Sequence, residues 1–255
     1  MKKLNLLSVS FLTIFALLSF KIIGKDQITI FIIGDSTAAN KLTTAYPETG
    51  WGMPFSYFFD STAVVNNLAK NGRSTRTFIT EGIWDRALST MKKGDYVFIQ
   101  FGHNDESKEK VDRYTTPEQY IENLTKFVNE ARAKEAIPVL ITPVARRKFD
   151  KDGKALETHV EYTPLVVKVA AHLNVPLIDL DAKSRLLYQQ MGEEQSKLLF
   201  NQLLPNEHPN YPEGKIDNTH FSELGARKIA LIVLHEIRNL KLPLADRIIK
   251  PVVKK

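Results

Sequence analysis

From Ile28 to Ile33 the only polar side chain is Thr29, and the apolar run stops at Gly34-Asp35-Ser36. A stretch so rich in β-branched residues predicts a strand buried on both faces. Gly34 is expected to supply an unusual backbone angle, letting Asp35 and Ser36 emerge at the strand's carboxyl end. Further apolar runs predict strands over Thr62–Asn66, Tyr96–Phe101, Ile137–Thr142 and Pro176–Leu180. Between them the period becomes helical. Phe78, Ile83, Ala87, Leu88 and Met91 predict an amphipathic helix over Thr77–Met91. Thr116 followed by Pro117 caps a second helix that runs to about Lys134, and a third covers Tyr162–Leu173. A fourth runs from Asp181 towards Phe200, and a last one begins at Ser222, with Leu224, Ile229, Ile232, Val233 and Ile237 along one face. The proline-rich stretch Leu204–Lys215 fits neither period, and the basic residues beyond Leu240 form a tail with no assigned element. Five strands alternating with helices predict a parallel five-stranded sheet covered on both faces, a three-layer α/β/α sandwich.

The length of 255 residues suits one domain with a substantial core, and its 43% hydrophobic and 25% charged residues are those of an ordinary globular protein. The amino terminus departs from this. Lys2 and Lys3 precede an almost charge-free segment, Leu4 to Phe20, the pattern of a secretory leader. Residues 1–24 are therefore expected to be a signal peptide and 25–255 the mature domain, with residues 241–255 as its tail. The expected location is secreted or periplasmic, without a stable membrane anchor. The absence of cysteine removes disulfides, thiolate metal sites and thiol nucleophiles. Because Lys2, Lys3 and Lys21 belong to the leader, the formal charge of +6 shrinks on maturation. So mild an excess does not point to nucleic acid and suits an acidic substrate if the cations cluster.

Ser36 stands at the edge of a sheet where open α/β folds bind ligands. A serine nucleophile needs a base, a group that orients the base, and donors for the oxyanion. Asp217 and His220, three residues apart, form a base-plus-orienter unit within one turn, and Gly72 and Asn104 follow two other strands as candidate donors.

Gly34-Asp35-Ser36, Gly72, Gly102-x-Asn104-Asp105 and Asp217-x-x-His220 resemble, in order, the four blocks of the SGNH (GDSL-type) hydrolases. Within that superfamily the chain looks like the rhamnogalacturonan acetylesterase group of carbohydrate esterases. The marks are Gly-Asp-Ser-Thr, Gly50-Trp51-Gly52, Asn71-Gly72-Arg73-Ser74, Gly102-His103-Asn104-Asp105 and Thr219-His220-Phe221-Ser222. The resemblance implies a flavodoxin-like sandwich. It also implies Ser36 as nucleophile, His220 as base, Asp217 as orienter, and an oxyanion hole of the Ser36 and Gly72 N–H groups with the Asn104 amide. The reaction it implies is removal of acetyl groups from a pectic polysaccharide, with no metal or organic cofactor.

An acidic plant polysaccharide or oligosaccharide would call for cations, and Arg73 and Arg76 beside Gly72 are candidates for its carboxylates. Arg146, Arg147 and Lys148 read equally well as solvated surface charge. Trp51, between two glycines, is a candidate for stacking on a sugar ring, whereas Trp84 is expected in the core and His103 in a structural role. Two alternatives remain: a lipase or thioesterase of the same superfamily, and a non-catalytic carbohydrate-binding protein on the same fold.

Overall fold

A computed structural model describes residues 26–250; the expected leader lies outside them, as do the last five residues of the tail. The five apolar runs form strands β1 (Ile28–Gly34), β2 (Ala63–Asn67), β3 (Tyr96–Gln100), β4 (Ile137–Ile141) and β5 (Leu177–Ile178). They pair in the order β2-β1-β3-β4-β5, every pairing parallel. In this doubly wound order the chain turns in opposite directions from β1 and β3, and the crevice at their carboxyl ends is the place for a ligand. All of β3 is buried, as a central strand covered on both faces must be.

Helices cover the two faces. On one side α2 (Thr75–Thr80), α3 (Ile83–Thr90), α4 (Pro117–Ala133) and α5 (Thr163–Leu173) surround a core that includes Phe31, Phe78, Trp84, Phe101 and Phe127. On the other, α1 (Gly52–Phe55), α6 (Leu180–Ser196) and α7 (Glu223–Asn239) enclose Trp51, Phe55, Phe98, Tyr188 and Ile229. The caps expected at Thr116 and Ser222 are present, with their side chains accepting the Gln119 and Gly225 N–H groups.

The predicted helix over Thr77–Met91 is two helices. A capping box at Ser74 and Thr77 starts α2 early, and Gly82, at φ +65°, breaks the run before α3. The fourth predicted helix is kinked at Gly192, which has φ +78°. Gly34 does not have a positive φ; its need for glycine is proximity, because a Cβ there would stand 2.6 Å from the Gln100 carbonyl oxygen on β3.

Two features were not predicted. β6 (Phe200–Leu203) and β7 (Lys215–Phe221) form an antiparallel ribbon outside the main sheet, sealed by the buried rings of Phe200 and Phe221. The tail is also docked over its described part. Pro243–Arg247 makes a short 3-10 helix with Leu244 buried, and Ile248 bridges to Phe59.

Candidate active site

Ser36 opens the turn that follows β1. Asp35 builds that turn: one carboxylate oxygen accepts the Thr37 N–H (2.9 Å) and hydroxyl (2.7 Å), and its carbonyl accepts the Ala38 and Ala39 N–H groups. Burial opposes ionisation of Asp35, but neighbouring His103 and the Thr37 donors outweigh it and hold the carboxyl at about 2. Nδ1 of His103 is 3.3 Å from the second Asp35 oxygen, too poorly aligned for a hydrogen bond. Burial, helped by the charge of His159, lowers the His103 pKa to about 4, so the ring is neutral at pH 7 and supports the floor of the cleft.

β7 carries Asp217 and His220. On a regular strand, residues three apart face opposite sides, yet Asp217 and His220 meet. Asp217 Oδ1 accepts the backbone N–H groups of Thr219 (2.7 Å) and His220 (2.9 Å), folding its carboxylate along the chain. Its Oδ2 lies 2.8 Å from His220 Nδ1. The unit is thus an Asx-type turn within an irregular ribbon, which makes the expected contact within one turn. An ionised carboxylate only accepts, so Nδ1 carries the proton and Nε2 has its lone pair free. That Nε2 stands 2.8 Å from Ser36 Oγ. Burial alone would raise the Asp217 pKa, but the hydrogen bond and charge of His220 and the two N–H donors bring it to about 2.

Gly72 and Asn104 line the same cleft as Ser36 and His220. Gly72 has φ +74°, a left-handed conformation that glycine adopts without strain. Among the described residues, neither the Ser36 nor the Gly72 N–H donates to another group. Asn104 gives one amide hydrogen to the Arg73 carbonyl oxygen at 3.0 Å, which fixes the side chain and leaves the other hydrogen available.

The residues expected to bind substrate are placed differently. Trp51 is fully buried, its indole N–H donating to Gln100 Oε1 at 2.9 Å, so it supports the sheet and offers no face to a sugar. Its flanking glycines are needed because a Cβ at Gly50 or Gly52 would collide with the backbone of Ala38 and Ala39. Arg73 pairs with Glu81 at 3.0 Å, and Arg76 donates to the carbonyls of Val111 and Tyr114. Both shape loops and neither lines the cleft. The cations that do are Lys110, Arg113 and Arg146. Arg146 is held by Glu106 at 2.7 Å, which is in turn bonded to buried His159. Arg147, open to either reading from the sequence, is buried and lines no part of this cleft: it donates to Ser196 Oγ and Asn218 Oδ1, clamping the residue beside Asp217. Lys148 is exposed.

Three further residues shape the site. Thr49 N–H donates to the Phe221 carbonyl at 2.9 Å, bringing Glu48 beside His220. Glu48, Asp217 and His220 thereby hold ligand-type atoms within 4.8 Å of one another, though both His220 nitrogens already have partners. Glu48 is paired with the buried ammonium of Lys41 at 2.7 Å. Residue type and spacing in the Lys41–Glu48 segment carry no sign of this pair. The cleft has a volume of about 490 Å³, within the usual range for ligand sites.

The GDSL-like Lipase/Acylhydrolase family model matches residues 32–228. The chain is 44% identical to Rhamnogalacturonan acetylesterase RhgT of Bacillus subtilis (strain 168) over 225 residues, 88% of this chain and 96% of that protein. It is 37% identical to Probable rhamnogalacturonan acetylesterase YesY of the same organism over 222 residues, 87% and 97% of the two chains. The crystal structure of the B. subtilis protein YxiM shares the fold with a TM-score of 0.74, covering 85% of this chain and 58% of that one at 24% identity.

Proposed function

The chain belongs to the GDSL-like lipase/acylhydrolase family, and on that footing we propose that it is a serine esterase that removes O-acetyl groups from acetylated rhamnogalacturonan or its oligosaccharides. The observation that carries the chemistry is the continuous relay from Asp217 Oδ2 through His220 to Ser36 Oγ, with both links at 2.8 Å. Ser36 Oγ attacks the acetyl carbonyl carbon as its proton passes to His220 Nε2. The tetrahedral oxyanion takes hydrogen bonds from the Ser36 and Gly72 N–H groups and the Asn104 amide. His220 returns the proton to the sugar oxygen as the ester C–O bond breaks, leaving acetyl-Ser36. Water then gives its proton to His220 while adding to the acyl carbon, and acetate departs as Oγ regains the proton. Asp217 stays ionised and holds the imidazole in the reactive tautomer.

The substrate reading is supported by the extent of identity to RhgT and by the cleft lining. Lys110, Arg113 and Arg146 in the cleft lining suit a uronate carboxylate, and Glu48 in the same lining suits sugar hydroxyls. Among the described residues no carboxylate lies within salt-bridge distance of the Lys110 ammonium, so its charge is free for substrate. We further infer that the protein works outside the cytoplasm, on the strength of the charged and then apolar segment at its amino terminus.

The test compares acetate release from acetylated rhamnogalacturonan and acetylated xylan, together with p-nitrophenyl esters of increasing acyl length. Preference for the pectic polymer and for acetate over longer acyl groups is expected. Rates that climb from acetate to octanoate would make the protein a lipase-type acylhydrolase instead.

A further inference from the structure

A second groove of about 500 Å³ adjoins the catalytic cleft, and the 46–49 segment forms the wall between them. Glu48 faces the cleft, whereas Tyr46, Pro47 and Thr49 line the groove. Tyr57 also lines it and is 73% exposed, and Tyr46 is 40% exposed. Two large aromatic side chains left this open, beside a cleft that handles an ester, are not explained by packing.

The groove is pinned in shape. Asn210 donates its side-chain amide to the carbonyls of Thr43 (2.8 Å) and Tyr46 (2.9 Å), and the Tyr211 hydroxyl donates to the Ala45 carbonyl at 2.8 Å. These bonds strap the turn carrying His208 onto the turn carrying Tyr46, so the walls are held before any ligand arrives. Polar groups are interspersed with the rings. His208 Nδ1 accepts the Asn210 N–H at 3.1 Å, which leaves Nε2–H as a donor. Asn40 uses its amide oxygen on Asn67 and keeps its own NH₂ free. Arg227 and Glu223 are paired at 2.9 Å, so the groove gains hydrogen-bonding capacity without net charge.

We propose that this groove is a saccharide subsite, which takes an uncharged sugar residue of the same polymer whose acetylated residue sits over Ser36. This rests on the reading of the protein as a polysaccharide esterase. The tyrosine rings stack on the apolar face of the sugar, and Asn40, His208 and the Glu223–Arg227 pair meet its hydroxyls. A uronate is directed to the cleft itself, where Lys110, Arg113 and Arg146 stand, so the charge difference between the two recesses sets the direction in which the polymer lies.

The experiment has two arms. In a Ser36→Ala background, rhamnogalacturonan oligosaccharides of increasing length are titrated by calorimetry against the otherwise unchanged protein and against Tyr57→Ala, Tyr46→Ala and Tyr57→Phe. Affinity is expected to rise with length, to fall about tenfold in each alanine variant, and to be kept by the phenylalanine. In the active enzyme, the same alanine changes should lower the ratio of kcat/KM on acetylated oligosaccharide to kcat/KM on p-nitrophenyl acetate, mainly through KM. Absent binding, or equal affinity in all variants, overturns the subsite. Failure of the wild type to release acetate from the polymer, with the tyrosine effects on binding intact, overturns the assigned reaction and leaves the subsite standing.

Discussion

Lys41 Nζ donates to Asn71 Oδ1 across 2.7 Å, tying the segment that follows the Ser36 turn to the residue that precedes Gly72. The same ammonium holds Glu48 at 2.7 Å, and the Lys41 side chain is only 1% exposed. One buried cation thus fixes both the backbone that presents the Gly72 N–H and the carboxylate beside His220. Lys41→Met leaves a carboxylate and an amide oxygen without their donor. Breaking a buried ion pair from one side typically costs about 3–5 kcal/mol, and displacement of the oxyanion donor should lower kcat by on the order of ten- to a hundredfold. Urea unfolding and steady-state kinetics on p-nitrophenyl acetate check the two effects. A variant with wild-type kcat would show that Gly72 does not depend on this tether.

Asn104 already gives one amide hydrogen to Arg73, so its orientation is set before substrate binds. Removing one oxyanion donor costs about 2.7–4 kcal/mol of barrier, so Asn104→Ala should lower kcat by roughly a hundredfold or more. KM should change little, because the lost bond belongs to the tetrahedral state. A fall in kcat below tenfold would remove Asn104 from the oxyanion hole.

Two buried groups pull the pH dependence of stability in opposite directions. Burial holds His103 neutral down to about pH 4, whereas an unfolded histidine titrates near 6.5; between these values the unfolded chain binds the extra proton, and stability rises with pH. Burial lifts Asp105 to about 7 against the donors from Thr75 and Thr115; over the same range the folded chain holds the proton, and stability falls with pH. The slopes offset each other from about pH 4 to 6.5. Asp35 and Asp217, held at about 2, contribute stability that is present above about pH 4 and lost as the pH falls through 2. Unfolding free energies from urea titrations should therefore be nearly level from pH 4 to 6.5 and drop below that range. Asp105→Asn should convert the level stretch into a rise with pH. A mutant profile parallel to the wild type would contradict this account of Asp105.

The parallel sheet was legible because its strands are short apolar runs ended by polar or glycine residues, and Ser36 and Asn104 were legible because they follow two of those ends. The boundary at Gly82 was not, although Phe78 and Ile83 are five apart, which is one more than a continuous helical face allows. The ribbon of β6 and β7 escaped because Asn201, Gln202 and the Asp217–His220 segment give it no apolar alternation. Charged residues were the least legible. Arg147 is buried only because Ser196, Asn218 and the Glu193 carbonyl converge on it, and Lys41 only because Glu48 and Asn71 do. Such partners are set by loops that meet in space and leave no local period to read. Trp51 was misjudged for the same reason: its glycine neighbours serve close packing on the Ser36 turn, not access to a ligand.

In the proposed mechanism Ser36, 2.8 Å from His220, carries the acetyl group during turnover. The most direct measurement is an acid quench during steady-state hydrolysis of an acetylated substrate, followed by mass spectrometry of the peptide that contains Ser36. One added acetyl group on Ser36 is expected in the wild type, with loss of both the adduct and acetate release in Ser36→Ala. Acetate release by Ser36→Ala at the wild-type rate, or an acetyl group trapped on another side chain, would contradict it.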